Sequence, residues 1–186
     1  MGSVRENNIA KLKAYSPTFI VSLLVGISLT LGGCGGGGKQ VSADKTDLVC
    51  VKRADVRLVV ATLNRDSRGI EVSLQEGADA NASIEGLGPP IVIAALADNY
   101  AAVKLLLDKG ASINASDGEG STALTNACFG NNKDIVQLLL ARGADANVPA
   151  YRLINGKRVR FSALMIAKSK GNEEIVKSLT AAGAKE

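Results

Sequence analysis

Apolar side chains fall along this chain in short clusters that return in one phase. Ile70, Val72 and Leu74 are matched 33 positions later by Val103, Leu105 and Leu107, and 33 later again by Val136, Leu138 and Leu140. Leu106 and Leu139 join the second and third clusters, so each places apolar groups three and four positions apart, the spacing of one helix face. Behind each cluster stands a similar five-residue run: Gly77-Ala78-Asp79-Ala80-Asn81, Gly110-Ala111-Ser112-Ile113-Asn114 and Gly143-Ala144-Asp145-Ala146-Asn147. The glycine permits the left-handed turn that ends a helix. A fourth copy, Ile175-Val176 through Gly183-Ala184, arrives 40 residues after the third, so seven residues have been added between them.

Ahead of these clusters lies a second apolar stretch carrying small side chains: Ala94-Ala95, Ala127-Cys128 and Ala167. Small groups at that position let two helices approach closely. Each period therefore predicts a pair of short helices, and the fixed period predicts that the pairs stack on one another. A degenerate first unit begins near Asp55 and offers Leu58 in the same phase.

Three runs stand where the first helix of a unit starts: Pro89-Pro90-Ile91-Val92, Thr122-Ala123-Leu124-Thr125 and Ser162-Ala163-Leu164-Met165. With the 33-residue period, they resemble the ankyrin family, whose ideal motif there is Thr-Pro-Leu-His. The resemblance implies an all-α solenoid of about four helix-turn-helix units joined by projecting loops. The expected organisation is a folded domain over 54–186, with units at about 54–83, 84–116, 117–150 and 158–186 and an insertion at 151–160. Asp117-Gly118-Glu119-Gly120 keeps the family's full Asp-x-x-Gly turn, and Gly86-Leu87-Gly88-Pro89-Pro90 gives the second unit a rigid lead into its helix. The chain departs from the family in lacking its histidine in every unit. Stability is then expected to rest more heavily on apolar stacking.

The added residues carry a signal of their own. Tyr151 to Phe161 sets Asn155-Gly156 between two β-prone runs, which predicts a β-hairpin between the third and fourth units. A two-residue turn sets Ile154 opposite Lys157, Leu153 opposite Arg158 and Tyr151 opposite Arg160. The run has four positive charges and no negative one.

The start of the chain reads as an address. Arg5, Lys11 and Lys13 precede an uncharged apolar run, Phe19 to Leu31, in the layout of a signal peptide over 1–33. That run is short against the roughly 20 residues of a bilayer span. Leu31-Gly32-Gly33-Cys34 resembles the bacterial lipobox, which implies cleavage before Cys34 and lipidation of its thiol. Residues 34–53 then read as the lipidated cysteine and a tether, of which the 13 residues 35–47, with four glycines at 35–38, reach roughly 20 Å. Gly38-Lys39 mimics part of a phosphate loop, but Gln40 replaces the magnesium-binding hydroxyl and no strand precedes it. The chain is thus expected in the bacterial envelope, facing the periplasm or the cell surface. Gly35 favours the outer membrane over the inner.

Charge and composition narrow the function. Of the net +4, two charges lie ahead of Cys34, leaving too weak a basic field for nucleic acid. There is no histidine, which removes Ser-His-Asp and Cys-His mechanisms and histidine metal sites. Asp108, Glu119, Asp134 and Glu173 read as solvating charges. Catalysis, a cofactor and a metal are not expected. Cys128 stands where a small buried side chain is wanted. Cys50 lies about two units away, too far for a disulfide with it.

A protein partner is the expectation that remains. The resemblance assigns binding to loop tips and the outward side of the first helices, the concave face of an ankyrin stack. Leu63, Leu96 and Phe129 recur there at intervals of 33. They form either an exposed apolar stripe or half-buried packing between neighbouring helices. The hairpin is the second candidate: Tyr151, Arg152, Lys157, Arg158 and Arg160 suit an acidic partner or anionic lipid, unless they merely keep a long loop solvated. The leading expectation is an accessory factor or inhibitor of an envelope protein. The alternative is a structural lipoprotein that bridges to anionic lipid or wall polymer through the hairpin. The lysines of the fourth unit, Lys168, Lys170, Lys177 and Lys185, suit it to cap a monomeric stack.

Overall fold

The computed structural model describes residues 53–84, 87–154 and 157–185. The expected signal segment, the lipidated Cys34, the tether up to residue 52 and Cys50 lie outside them. Among the described residues the chain runs α1 (Arg53–Leu63), α2 (Ser67–Gln75), α3 (Pro90–Leu96), α4 (Tyr100–Asp108), α5 (Ala123–Gly130), α6 (Lys133–Ala141), β1 (Ala150–Ile154), β2 (Lys157–Phe161), α7 (Ala163–Lys170) and α8 (Glu173–Ala181).

The helices form two layers. The first helices α1, α3, α5 and α7 pack in succession, as do the second helices α2, α4, α6 and α8. One core runs through the stack, and its members follow the period. Ile70, Val103 and Val136 are fully buried from the second helices, and Ala94, Ala127 and Ala167 from the first. A solenoid of this kind draws its stability from contacts between neighbours.

The turns inside the pairs repeat as closely as the core. Arg65, Asp98, Asn131 and Gly171 all have positive φ. The next residue in each case caps the following helix: Asp66, Asn99, Asn132 and Asn172 each accept a backbone N–H of its first turn. A short polar side chain satisfies one of the orphan donors that every helix start leaves.

The first helices cap themselves differently from one unit to the next. Thr122 accepts the N–H of Thr125, while Thr125 Oγ1 accepts the N–H of Thr122 at 2.9 Å. Thr125, standing where the family has histidine, thus completes a capping box. In the second unit the cap is Pro89, which has no N–H to satisfy. Ser162 accepts from Met165 N–H at 3.1 Å, and the Met165 side chain has no group to return the bond.

A series of polar links joins the units beside their apolar stacking. Asn81 Oδ1 accepts the N–H of Ser112 at 2.6 Å, Asn114 Oδ1 that of Asp145 at 2.9 Å, and Asn147 Oδ1 that of Lys185 at 2.8 Å. Asn81 and Asn147 also donate to the carbonyls of Gly110 and Gly183. Within the first unit, Asp55 of α1 accepts from Asp79 N–H at 2.8 Å. Each turn is tied to the next by a side chain reaching across the stack, which replaces water on backbone groups without a partner of their own.

Candidate interaction surface

The first-helix layer carries the proposed stripe. Leu63 ends α1, Leu96 ends α3 and Phe129 is the penultimate residue of α5, so the 33-residue spacing brings them to equivalent places on helices that pack in sequence. All three are half-buried. Phe129 packs against the core, so at that position the packing alternative holds in part. Met165 on α7 escaped notice in the sequence because it occupies a start-of-helix motif. At 45% exposure it is the most open large apolar side chain of the first-helix layer among the described residues. Val72 and Tyr100 are comparably exposed, but they belong to the second helices.

The second-helix layer closes its surface with ion pairs. Arg142 holds Asp108 at 2.9 Å across α6 and α4, and Lys133 holds Glu174 across α6 and α8. Arg57 and Glu76 pair at 2.6 Å within the first unit. All are substantially exposed, and such pairs contribute at most about 1 kcal/mol each. Two of them bridge neighbouring second helices on a solvated surface, and the third ties α1 to the end of α2.

The hairpin differs on each count. β1 and β2 are antiparallel, with Tyr151 opposite Arg160, Leu153 opposite Arg158 and Ile154 opposite Lys157. Pairing runs from Ala150 to Phe161, one residue past each end of 151–160. The Arg152 side chain and Asn155-Gly156 lie outside the described residues. Lys157, Arg158 and Arg160 are exposed. Arg158 sits 4.5 Å above the centroid of the Tyr151 ring, which holds a guanidinium by cation–π attraction while leaving its edge donors open.

The base of the ribbon is seated on the stack. Ala150 is buried and Phe161 packs on the core. Tyr151 N–H donates to the Glu119 carbonyl at 2.9 Å. Glu119 belongs to the Asp117–Gly120 turn, where Asp117 Oδ1 accepts from Glu119 N–H at 2.9 Å and Ser121 N–H at 2.8 Å. Gly120, with φ +76, lies so near the ribbon that an added Cβ would meet the Pro149 carbonyl at 3.2 Å. The family-like turn thus serves as a footing for the hairpin.

Cys128 is fully buried, and burial pushes its thiol up to about 12. An uncharged thiol enclosed in the core is packing material. Among the described residues no group of three or more acids or cysteines is placed to hold a metal ion, and no helix is long and apolar enough to cross a membrane.

A family model described as ankyrin repeats, three copies, matches residues 58–150, half of the chain. No curated protein sequence matches it.

Proposed function

Because the chain belongs to the ankyrin repeat family, a family of protein-interaction scaffolds, we propose that it is a membrane-anchored module that binds one envelope protein and acts as its accessory factor or inhibitor. Lipid on Cys34 anchors it, and the tether keeps the stack near the bilayer, in the outer membrane by the reading of Gly35. The partner seats on the first-helix layer, over Leu63, Leu96 and Phe129. Tyr151, Arg152, Lys157, Arg158 and Arg160 of the hairpin meet an acidic part of it. Mechanism here is surface complementarity: a few half-buried apolar anchors supply affinity and the basic ribbon steers and selects.

The observation that carries the reading is the contrast between the two layers. Two exposed ion pairs bridge neighbouring second helices, whereas the first-helix layer holds aligned apolar groups beside a rooted ribbon of basic residues. Interfaces favour such apolar centres with charged rims.

Crosslinking in intact membranes, followed by purification of the chain, tests this. One dominant protein is expected, lost on Leu96→Glu and retained on Glu71→Lys in α2. Capture that survives Leu96→Glu in a folded variant contradicts the first-helix site. Retention on wall polymer or anionic vesicles with no protein captured supports the structural alternative.

A further inference from the structure

The hairpin's hydrogen-bond phase assigns its outer edge a role. Tyr151 N–H leaves the ribbon to reach Glu119, so the pair Tyr151 and Arg160 is one whose backbone groups point outward. Antiparallel pairs alternate in this respect, hence Leu153 and Arg158 face outward too. On the β1 side the turn at Asp117–Gly120 occupies part of that edge. On the β2 side the amides and carbonyls of Arg158 and Arg160 have no hydrogen-bond partner among the described residues.

Side chains follow the same alternation. Arg158 and Arg160 project to the face of Tyr151, and Val159 between them projects to the other. The Arg158–Tyr151 contact fixes that face. Neither guanidinium is in an ion pair among the described residues. An incoming strand that bonds to the outward groups of Arg158 and Arg160 sets its own bonded residues directly beside those two side chains. Bare edges accept strands unless charge forbids it. Here positive charge repels basic strands and favours acidic ones over neutral ones.

We propose that the outer edge of β2 binds an extended acidic segment of a partner protein by strand addition, with Asp or Glu at alternate positions opposite Arg158 and Arg160 and an uncharged residue between them. This rests on the acidic-partner reading of the hairpin and names its binding mode. Backbone bonds give the segment its register, and the paired carboxylates meet guanidiniums, one of them already oriented by an aromatic ring.

The test uses the full chain and three synthetic ten-residue peptides. In the first, glutamate alternates with valine; the second has the same composition with the glutamates in one block; the third is the first with N-methylated glutamates. The alternating peptide is expected to bind at least tenfold more tightly than the other two. Arg160→Pro, which removes an outward N–H and no bond to β1, brings it down to their level. The N-methylated peptide gives the same information with the protein unaltered.

Equal binding of all three peptides, lost on Arg158→Glu with Arg160→Glu, overturns strand addition while the acidic-partner reading stands. Retention on phosphatidylglycerol vesicles with no affinity for any peptide overturns both and makes the ribbon a lipid contact.

Discussion

Asn114 Oδ1 accepts the backbone N–H of Asp145 at 2.9 Å, 31 positions along the chain and one unit along the stack. Asn81 and Asn147 do the same for Ser112 and Lys185, so one side-chain type in one phase binds successive turns. These bonds are solvent-accessible, and each is expected to contribute about 1 kcal/mol. Asn114→Ala should lower the unfolding free energy by that amount, read as a lower urea midpoint at unchanged slope, and Asn114→Asp, which keeps the acceptor, should lower it less.

Thr125 and Met165 occupy the same place in consecutive units with opposite consequences for their caps. Thr125→Val keeps shape, removes the Oγ1 that accepts Thr122 N–H, and should destabilise by about 1–2 kcal/mol, since the group left behind is buried. Met165→Thr supplies a hydroxyl opposite Ser162 and should raise stability by about 0.5 kcal/mol. Thermal melts of the two variants, read against the parent, should move in opposite directions.

The small residues between first helices set their separation. Ala127 is fully buried in α5, which packs on both α3 and α7. Ala127→Leu should cost about 1–3 kcal/mol through overpacking, and Leu124→Ala about 2–5 kcal/mol through the cavity it leaves. Equilibrium denaturation should show both losses, which share the core but not the cause.

Cys128 gives a pH signature. Its folded value, about 12, stands above the ordinary 9.0, so between them the native state keeps a proton that the unfolded state has lost. Native stability is level in this respect below pH 9. Above it, stability falls by about 1.4 kcal/mol per unit, a loss that ends only near the folded value. With Cys34→Ser and Cys50→Ser leaving it as the sole thiol, Cys128 should react with a disulfide reagent at pH 8 only at the rate of unfolding. Rapid labelling of native protein would show the thiol to be accessible.

The family and the paired helices were legible because burial writes itself into periodicity: Val103 and Val136 differ in their adjacent residues, Ala102 and Lys104 against Ile135 and Gln137, yet meet the same core. The hairpin's register followed from the parity of a two-residue turn. The polar ladder has no such signal, since Asn81, Asn114 and Asn147 end each repeat of the sequence with no partner nearby along the chain. A bond to a residue 31 positions away has no local signal. Thr125 was read as a loss of histidine, although any side chain with a well-placed acceptor can close the same box. The footing of the ribbon was illegible too. That Glu119 would receive Tyr151 depends on how two units stack, and spacing along one unit says nothing of it. Burial at the stripe was left open for a related reason: a residue on the margin between two helices is decided by a fraction of a turn.

Hydroxyl-radical footprinting of the chain with and without its captured partner tests the central claim most directly, because it reads the two layers side by side. Binding through the first-helix layer and the ribbon predicts protection of Leu63, Leu96, Phe129 and Tyr151, while Val72 and Tyr100 on the second helices oxidise at their free rates. Protection of Val72 and Tyr100 with the first four unchanged would place the partner on the opposite surface and contradict the account.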